Sequence, residues 1–381
     1  GWWHEHPPKG DALELLAGAD AVFLSHNHPD HMHPETLAHV APDAEVLVPD
    51  FESGSAAVSA RALGLAPHAL AFNTVFSHPE APFQIAVLLA GSGRDDAGLL
   101  VFAGDRKILL AADSRALNHF VLPRDVDVVF DAFAGGASGY PLCFEHYELA
   151  ERRAISRRYA DAVLHHTERL VETIRPRAYV PYAGYFQVVG EEDALIRDHN
   201  VRNSVEEIAD VVARVAPETT FVDPRAHDRL RLDADRSLRV EREEAGPLYA
   251  VDAAYVAPYA RALAAEAAGF HVDELRRYFE HAGFQDDLVL HLQPTRRDFA
   301  PEGEGLRVDF SGPKPSIEVM APEALRAGYE AAPAGPLRQL EMRVRREPLA
   351  HVVRGQRPWE ELSIGFPCRV PRKPDGSNAR L

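Results

Sequence analysis

The chain has 381 residues, of which 46% are hydrophobic and 26% are charged, a composition typical of a folded globular protein. This length suits two domains, or one large domain with an appendage. A formal net charge of −17 argues against a nucleic-acid partner, although a pocket can still be basic enough for an anionic small substrate. No apolar run approaches the ~20 residues that span a bilayer, and two cysteines are too few for a disulfide framework or a zinc–thiolate site. We therefore expect a soluble protein of the reducing cytoplasm, without membrane attachment.

Residues 1–225 show an alternation of predicted strands and helices. Apolar runs predict strands at 21–24, 46–48, 99–102, 107–110, 126–130 and 178–180. Gly104 and Asp105 are a tight hairpin signal between two of these strands. Apolar side chains at helical spacing predict a long helix over 148–174, which Pro176 ends. This alternation predicts an α/β domain.

The composition changes after this region. Residues 226–247 are dense in charged side chains and predict a solvated connection between two domains. A helix is then predicted over 253–267. Strands with one apolar and one polar face follow at 288–292, 306–310 and 317–320. Residues 248–381 are therefore predicted to form an α+β domain with helices on one side of its sheet, and shielding of a substrate or homo-oligomer formation is a reasonable role for it.

The strongest functional signal is a histidine-rich segment directly after the first predicted strand. His26, His28, Asp30 and His31 lie close together there, and loops at strand ends commonly carry binding residues. Imidazole suits zinc and iron, and a carboxylate suits iron or manganese. The His-x-His spacing lets two rings converge on one ion, while the Asp–His pair can face a second ion. The segment therefore predicts a site for one or two metal ions.

Asp113, just beyond the predicted strand at 107–110, is the next candidate ligand. A carboxylate there could bridge two ions, whereas an isolated aspartate in such a position is more often a helix cap or a turn residue. Because the histidine motif precedes it, we favour the ligand interpretation, with Asp30 and Asp113 as catalytic carboxylates. His33 and His39 also lie near the motif, but we interpret them as ordinary surface histidines.

The histidine motif followed by Asp113 resembles the metallo-β-lactamase superfamily, and this implies an αββα fold that holds metal ions. Over almost the whole chain, the sequence more closely resembles the CMP-N-acetylneuraminate hydroxylase family of monooxygenases. Besides the histidine motif, the matching stretches are 1–3, 107–113, 133–141, 181–186, the pair Asn200 and Asn203, and 359–366. The resemblance implies iron, a nucleotide-sugar substrate whose N-acetyl group is hydroxylated, and electrons from a Rieske [2Fe-2S] domain.

The sequence also departs from the family. A Rieske cluster needs paired cysteine and histidine ligands, and Cys143 and Cys368 stand alone, so the cluster is expected upstream or on a partner protein. The first strands of the metallo-β-lactamase fold, expected before the first residues here, are missing from this sequence. A histidine that the superfamily places before the strand leading to Asp113 corresponds to Ser92, which predicts a weakened site or a single ion.

Several further residues could form a substrate site beside the metal. Its candidate residues are Gly135, Ser138, Tyr182, Tyr185, Asn200 and Asn203. The glycine-rich loop could cradle a phosphate with its backbone N–H groups, or could serve packing alone. The tyrosines could stack against a base or sugar or cap the core. The asparagines, with two arginines nearby, could recognise a nucleotide phosphate or begin a solvated helix.

The leading hypothesis for function is an iron-dependent monooxygenase that acts on a nucleotide sugar or another small amide or amine, although zinc or manganese also suits the ligands. A metal-dependent hydrolase of an ester, lactone or phosphodiester is one alternative, since metal-bound hydroxide serves most of the superfamily. A ligand-binding protein with reduced catalysis is the other alternative, and the serine at position 92 motivates it.

Overall fold

A computed structural model describes residues 2–4, 12–78, 82–225, 228–242, 253–281 and 283–373. In these ranges, no helix is both long enough and apolar enough to cross a membrane. The first elements are β1 (Trp2–His4), α1 (Ala12–Ala17), β2 (Ala21–Phe23), α2 (Pro34–Leu37), β3 (Glu45–Pro49), α3 (Ser55–Ala62) and β4 (Pro67–Leu70). Strands β2, β3 and β4 form a small parallel sheet.

A larger sheet follows along the chain. Its elements and their neighbours are β5 (Val75–Ser77), β6 (Phe83–Leu89), β7 (Ala97–Ala103), β8 (Arg106–Leu110), β9 (Val128–Asp131), α4 (Leu149–Ile174), β10 (Ala178–Pro181), β11 (Phe186–Val188), α5 (Ala194–His199), α6 (Val205–Val215) and β12 (Thr220–Phe221). The strand order is β12-β10-β9-β8-β7-β6-β5. Strands β8, β9, β10 and β12 run parallel to one another, whereas β5, β6, β7 and β8 pair antiparallel.

The two sheets face each other across an apolar core. Along β6, Ile85 and Val87 pack towards the smaller sheet, whereas Ala86 and Leu88 pack towards the core beneath α4 and α6. Successive side chains of a strand point to opposite faces, so β6 is buried on both sides. Helix α3 packs against β3 and β4. The result is the helix–sheet–sheet–helix layering of the α/β class predicted from the sequence.

The predicted charged connection contains a β-hairpin, which the sequence reasoning did not indicate. It consists of β13 (Arg229–Leu232) and β14 (Leu238–Glu241). Its apolar side chains pack on the outer strands of the large sheet, and they are Leu230, Leu232, Leu238 and Val240. Arg236 lies 3.6 Å from the buried carboxylate of Asp127. The charges lie on the outward face, while alternate positions are apolar and cover the sheet.

The C-terminal part is built around a second sheet. Its elements are α7 (Ala253–Glu266), α8 (Val272–Glu280), β15 (Leu288–Thr295), β16 (Gly305–Asp309), β17 (Ser316–Met320), α9 (Pro322–Ala331), β18 (Arg338–Arg345), α10 (Arg346–Gly355), β19 (Cys368–Arg369) and β20 (Arg372–Lys373). The strand order is β17-β16-β15-β18-β19, with β20 also beside β18. The three predicted strands correspond to β15, β16 and β17.

Helices cover both faces of this sheet, so the expectation of helices on one side is wrong. Leu290 and Leu292 of β15 share a core with Leu275 of α8 and with α10. On the opposite face, the ring of His291 packs against Tyr329 of α9, with centroids 5.5 Å apart. Strand β15 is therefore buried on both faces, and its polar His291 faces a helix rather than water.

The two parts of the chain share buried contacts. Leu142 and Ile196 from the first part belong to the same apolar cluster as the C-terminal sheet. A buried ion pair joins Arg345 of β18 to Asp193, with Nη2 and Oδ1 2.8 Å apart. The C-terminal part is therefore packed against the first part.

Candidate metal centre

The candidate ligands gather at one edge of the layered sheets. Strands β8, β9 and β10 are parallel, so their carboxyl ends lie at the same edge. Asp113 follows the end of β8, and Tyr182 follows the end of β10. The histidine-rich loop leaves β2 of the facing sheet. Three loops that are distant in sequence therefore meet around one small space.

The predicted metal-binding side chains are close neighbours in the structure. His26 is 1% exposed, and its Nε2 lies 2.8 Å from Nδ1 of His28. The Nε2 atom of His31 lies 3.6 Å from Oδ2 of Asp113 and 4.0 Å from Oδ2 of Asp30. These separations are those of side chains that can share a cation.

Two overlapping groups of ligand atoms result from this arrangement. His26, His28 and Asp113 form one group, and Asp30, His31 and Asp113 form the other; within each, the ligand atoms all lie within 4.8 Å of one another. Asp113 belongs to both groups. A carboxylate can bridge two ions with its two oxygens, so the geometry suits a pair of ions with Asp113 between them.

A serine hydroxyl orients two of the rings. Ser25 Oγ lies 3.0 Å from Nδ1 of His26 and 3.1 Å from Nδ1 of His31. With these Nδ1 atoms engaged, both rings present Nε2 to the ligand groups. Hydrogen bonds of this kind to the second ring nitrogen fix the tautomer and orientation of metal-binding histidines.

Asp96 is a member of the centre that sequence reasoning missed. Its Oδ1 lies 3.5 Å from Nδ1 of His26 and accepts a hydrogen bond of 2.9 Å from Ser114 Oγ. It comes from the loop between β6 and β7, close to Ser92, the position at which the superfamily pattern places a histidine. A carboxylate therefore contacts His26 from this loop, although nothing in the local sequence pattern marks it.

Other histidines in the vicinity have separate partners. His33 lies at the start of α2, where its Nδ1 accepts a hydrogen bond from the Thr36 backbone. His68 and His78 both contact Glu45, at 2.7 and 3.4 Å. None of these three rings belongs to the two ligand groups.

Electrostatics keep the centre in a form suited to cations. Burial, together with the nearby His31 and His28 rings, lowers the pKa of His26 to about 3. The Asp113 side chain is 42% exposed, and its partial burial would raise its pKa, but the hydrogen bond and charge of His31 lower it to about 2. Burial lowers the pKa of His31, but its bond to Asp113 and the surrounding carboxylates raise it overall. The unprotonated His26 and ionised Asp113 are the forms that bind metal.

The glycine-rich loop is held in place by the two predicted asparagines. Gly136 has a positive φ of 79°, and the amide Nδ2 of Asn200 donates to its carbonyl over 2.8 Å. Asn203 is buried, and its Nδ2 donates to the carbonyls of Phe133 and Ala160. The Asn200 amide thus contacts the loop, and the Asn203 amide joins the residue before the loop to α4, while the predicted contact of both with substrate remains a prediction.

The remaining predicted substrate residues lie around the same edge. Ser138 of the loop is exposed. Tyr182 is 39% exposed, and burial and the charges of Asp113, Asp131 and Asp96 raise the pKa of its hydroxyl. Tyr182 therefore borders the candidate metal centre.

The ring of Tyr185 points elsewhere, against Phe133 at a centroid distance of 5.1 Å. Phe133 itself precedes the glycine-rich loop, and both rings belong to the core beneath α4 and α6. The contact supports the alternative interpretation of Tyr185 as a core residue.

The stretches that carry the family resemblance converge in the fold. The backbone N–H of Phe133 donates to the Ala183 carbonyl over 3.1 Å, and that of Gly139 donates to the Ser363 carbonyl over 2.8 Å. Strand β1 pairs antiparallel with β11, which follows the Tyr182 loop. Segments from the beginning, middle and end of the chain are therefore joined around the glycine-rich loop and the Tyr182 loop.

The layered fold and the overlapping ligand groups define a candidate metal-binding protein of the α/β class with αββα layering. The chain is 28% identical over 98% of its length to the cytidine monophosphate-N-acetylneuraminic acid hydroxylase of Sus scrofa, of which it covers 87%. It is 29% identical to the hydroxylase of Macaca mulatta, of which it covers 64%. The human relative, also 29% identical over 98% of the chain, is named as an inactive hydroxylase. These similarities confirm the resemblance found in the sequence motifs.

No family model matches the chain. Among solved structures, it is similar to CmlA, a diiron β-hydroxylase from Streptomyces venezuelae, with 20% identity, a TM-score of 0.38 and coverage of 59% of this chain and 45% of CmlA. It is also similar to the metallo-β-lactamase-fold protein YhfI from Bacillus subtilis, with 12% identity, a TM-score of 0.35 and coverage of 54% and 75%. Because these TM-scores are low, the description of the fold and of the candidate metal site depends on the sheet layers and the ligand side chains of this chain itself.

Proposed function

We propose that this chain is an iron-dependent monooxygenase of the CMP-N-acetylneuraminate hydroxylase type. The observation that carries the proposal is the position of Asp113, which belongs to both ligand groups and so suits a pair of metal ions. The hydroxylase names of its relatives, which match 98% of the chain, favour oxidation over hydrolysis. Because the chain covers 64% of the macaque hydroxylase, the activity of the whole relative is carried over only as part of this proposal.

The donor set fits iron. Each ligand group combines imidazole nitrogen with carboxylate oxygen, a combination that iron accepts and that zinc and manganese also accept. Both cysteines lie in a core cluster away from these groups. The low pKa of His26, about 3, leaves its nitrogen lone pair free for a cation at neutral pH.

The side chains around the ligands have distinct tasks in this proposal. The chemistry that iron would supply is the activation of dioxygen with electrons from a reductant. Ser25 holds the rings of His26 and His31, and Asp113 holds the two ligand groups in a fixed relation. The Tyr182 hydroxyl, whose pKa is raised above its usual value, is protonated at neutral pH as an ordinary tyrosine is, so it can donate a hydrogen bond to a substrate oxygen.

The proposed substrate is a nucleotide sugar or another small amide or amine. It would lie along the loop of Gly135 and Ser138, with Tyr182 between this loop and the metal ions. The side-chain amide of Asn200 donates a hydrogen bond to the Gly136 carbonyl, and this bond supports a fixed conformation of the loop. A fixed backbone is suited to recognising a charged group with its N–H donors.

Electrons would come from a Rieske [2Fe-2S] cluster, as the family resemblance implies. This sequence has no paired cysteine and histidine ligands for such a cluster, so the cluster would lie on a separate protein or domain. The electron donor is thus a proposed partner, and a cytoplasmic location remains a prediction.

The test uses the full chain prepared with iron, CMP-N-acetylneuraminate, and a reductase with a Rieske-type ferredoxin. We expect dioxygen consumption and a product that has gained one oxygen atom, which isotopically labelled dioxygen supplies. Turnover without dioxygen or reductant would contradict the proposal in favour of a hydrolase. Ligand binding without turnover would favour the catalytically reduced alternative.

A further inference from the structure

The only two cysteines of the sequence lie side by side in the fold. Cys143 follows the glycine-rich loop, and Cys368 lies on β19 of the C-terminal sheet. Both are buried, at 0% and 1% exposure, in the same apolar cluster. The backbone N–H of Val370 donates to the Cys143 carbonyl over 2.7 Å, so the two segments are held against each other.

The surroundings of the pair are unusual for an apolar core. The two thiol side chains are hydrogen-bonded to each other. The Arg369 guanidinium is also buried, and its Nη1 donates to Sγ of Cys143 over 3.7 Å. Guanidinium groups next to a thiol favour the thiolate, which is the nucleophilic form.

These contacts give the two sulfurs different character. The bond from Cys368 and the charges of Arg369 and Arg345 lower the pKa of Cys143. The bond to Cys143 and burial raise the pKa of Cys368. A more acidic thiol beside a protonated neighbour is the arrangement of a reactive cysteine next to a resolving one.

We propose that Cys143 and Cys368 form a reversible disulfide when the protein meets hydrogen peroxide. The Cys143 thiolate attacks one peroxide oxygen, the O–O bond breaks, and the products are a sulfenic acid and hydroxide, which takes up a proton to give water. The Cys368 sulfur then attacks Sγ of Cys143, the S–O bond breaks, and the leaving hydroxide takes the Cys368 proton. Two thiols are oxidised, one peroxide is reduced to two waters, and a dithiol reductant reverses the bond.

The bond would lock the two parts of the chain together at the end of the glycine-rich loop. The Cys143 backbone N–H donates to the carbonyl of Gly139, and the Gly139 N–H donates to Ser363. A covalent link from Cys143 to β19 would thus fix the end of the glycine-rich loop against the C-terminal sheet. The link is independent of the proposed oxygenase activity, because neither sulfur belongs to a ligand group.

The test treats the folded full chain with hydrogen peroxide, which is small enough to enter during brief local opening. Free thiols are then counted after denaturation, and the peptides are mapped by mass spectrometry. We expect complete loss of free thiols, a cross-linked peptide pair containing Cys143 and Cys368, and recovery of both thiols with dithiothreitol. Persistence of both thiols at a peroxide concentration that oxidises the urea-unfolded chain would overturn the proposal, and so would links only between chains.

Single-cysteine variants supply the matched controls. In Cys368→Ala we expect peroxide to leave Cys143 as a sulfenic acid that dimedone traps, whereas Cys143→Ala should form no dimedone adduct at Cys368. Equal dimedone labelling of the two variants would contradict the assigned roles. If either variant fails to fold, the peptide map of the unaltered chain decides the question.

Discussion

Asp113 is the residue on which the candidate metal centre depends most. His26 and His28 contribute to one ligand group and Asp30 and His31 to the other, but Asp113 contributes to both. Its carboxylate is held ionised chiefly by His31 against the effect of burial. Loss of this one side chain should therefore affect both metal positions, whereas loss of a histidine should affect one.

We expect Asp113→Asn to weaken metal binding at both positions by about tenfold or more, since the amide lacks the negative charge of the carboxylate. His28→Gln should weaken only one position. Titration calorimetry with Fe²⁺ and Zn²⁺ and metal analysis of the purified protein measure this difference. Asp43→Asn, at an exposed turn, is the control, and unchanged affinity at either metal position in Asp113→Asn would contradict a shared carboxylate.

Asp96 supports the centre from behind His26. Its Oδ1 accepts a hydrogen bond from the Ser114 hydroxyl and lies 3.5 Å from Nδ1 of His26. Burial raises the pKa of this carboxyl, and the charge of Asp113 adds to the increase. A carboxylate in this position makes the imidazole a stronger ligand, or joins the ligands itself once an ion is bound.

Asp96→Asn should weaken binding of one metal ion by about 10–100-fold, while leaving the fold intact because the amide oxygen can still accept from Ser114. Competition with a chromophoric chelator measures the affinity. The neighbouring Asp95→Asn, whose carboxylate contacts Ser55 on the surface, should match the unaltered protein. Equal affinities in all three proteins would show that Asp96 has no part in metal binding.

Strand β15 carries a buried polar residue, His291. His291 is 2% exposed, and its Nε2 lies 3.0 Å from Oε1 of Gln339 on the neighbouring β18. Burial, followed by the charge of Arg307, lowers its pKa below the usual 6.5 despite the bond to Gln339. The ring is therefore neutral in the folded chain at neutral pH.

This lowered pKa makes stability depend on pH. Below about pH 6.5 the unfolded chain binds a proton at His291 that the folded chain does not bind, so the free energy of unfolding should decrease as pH falls from 6.5 to the folded-state pKa. Above pH 6.5 this contribution is fully present. Urea unfolding at a series of pH values measures it.

In His291→Asn the pH dependence over this window should become flatter, whereas the exposed His39→Asn should leave it unchanged. An unaltered slope in His291→Asn would exclude His291 as its source.

In the whole molecule, buried contacts couple the two parts of the chain. The pair Asp193–Arg345 is buried on both sides, and the hairpin of β13 and β14 packs on the large sheet. The guanidinium of Arg345 also lies over the Phe299 ring at 4.5 Å. We therefore expect the two parts to unfold in a single transition.

Asp193→Asn should cost about 3–5 kcal/mol of unfolding free energy, because it leaves the buried guanidinium of Arg345 without its charged partner. Denaturant unfolding followed by fluorescence and circular dichroism measures the loss. Asp198→Asn, in an exposed pair with Arg197, should change stability little. Two separate transitions in the unaltered protein would contradict coupling of the two parts.

Many strands and the long helix of the first part of the chain can be predicted from local sequence patterns. The strands at β2, β3, β7, β8, β9 and β10 and the helix α4 agree with their predicted positions, because each is marked by an apolar run or by helical spacing. Strands β4, β5 and β6 were not predicted. The hairpin of β13 and β14 was not predicted, because the alternation of apolar and charged side chains in this segment becomes stabilising only when its apolar face packs on the large sheet.

The candidate metal ligands likewise include some that the sequence predicts and some that only the folded structure reveals. The spacing of His26, His28, Asp30 and His31 in one loop already predicts convergence on metal, because neighbours in a short loop cannot lie far apart. The resemblance then supports Asp113. Asp96 carries no such mark: its contact with His26 exists only because the loop after β6 crosses the end of β2 in the folded sheets. The meeting of Cys143 with Cys368 likewise follows from packing of the two parts, which no local pattern encodes, since long-range contacts depend on how whole layers bury their apolar faces.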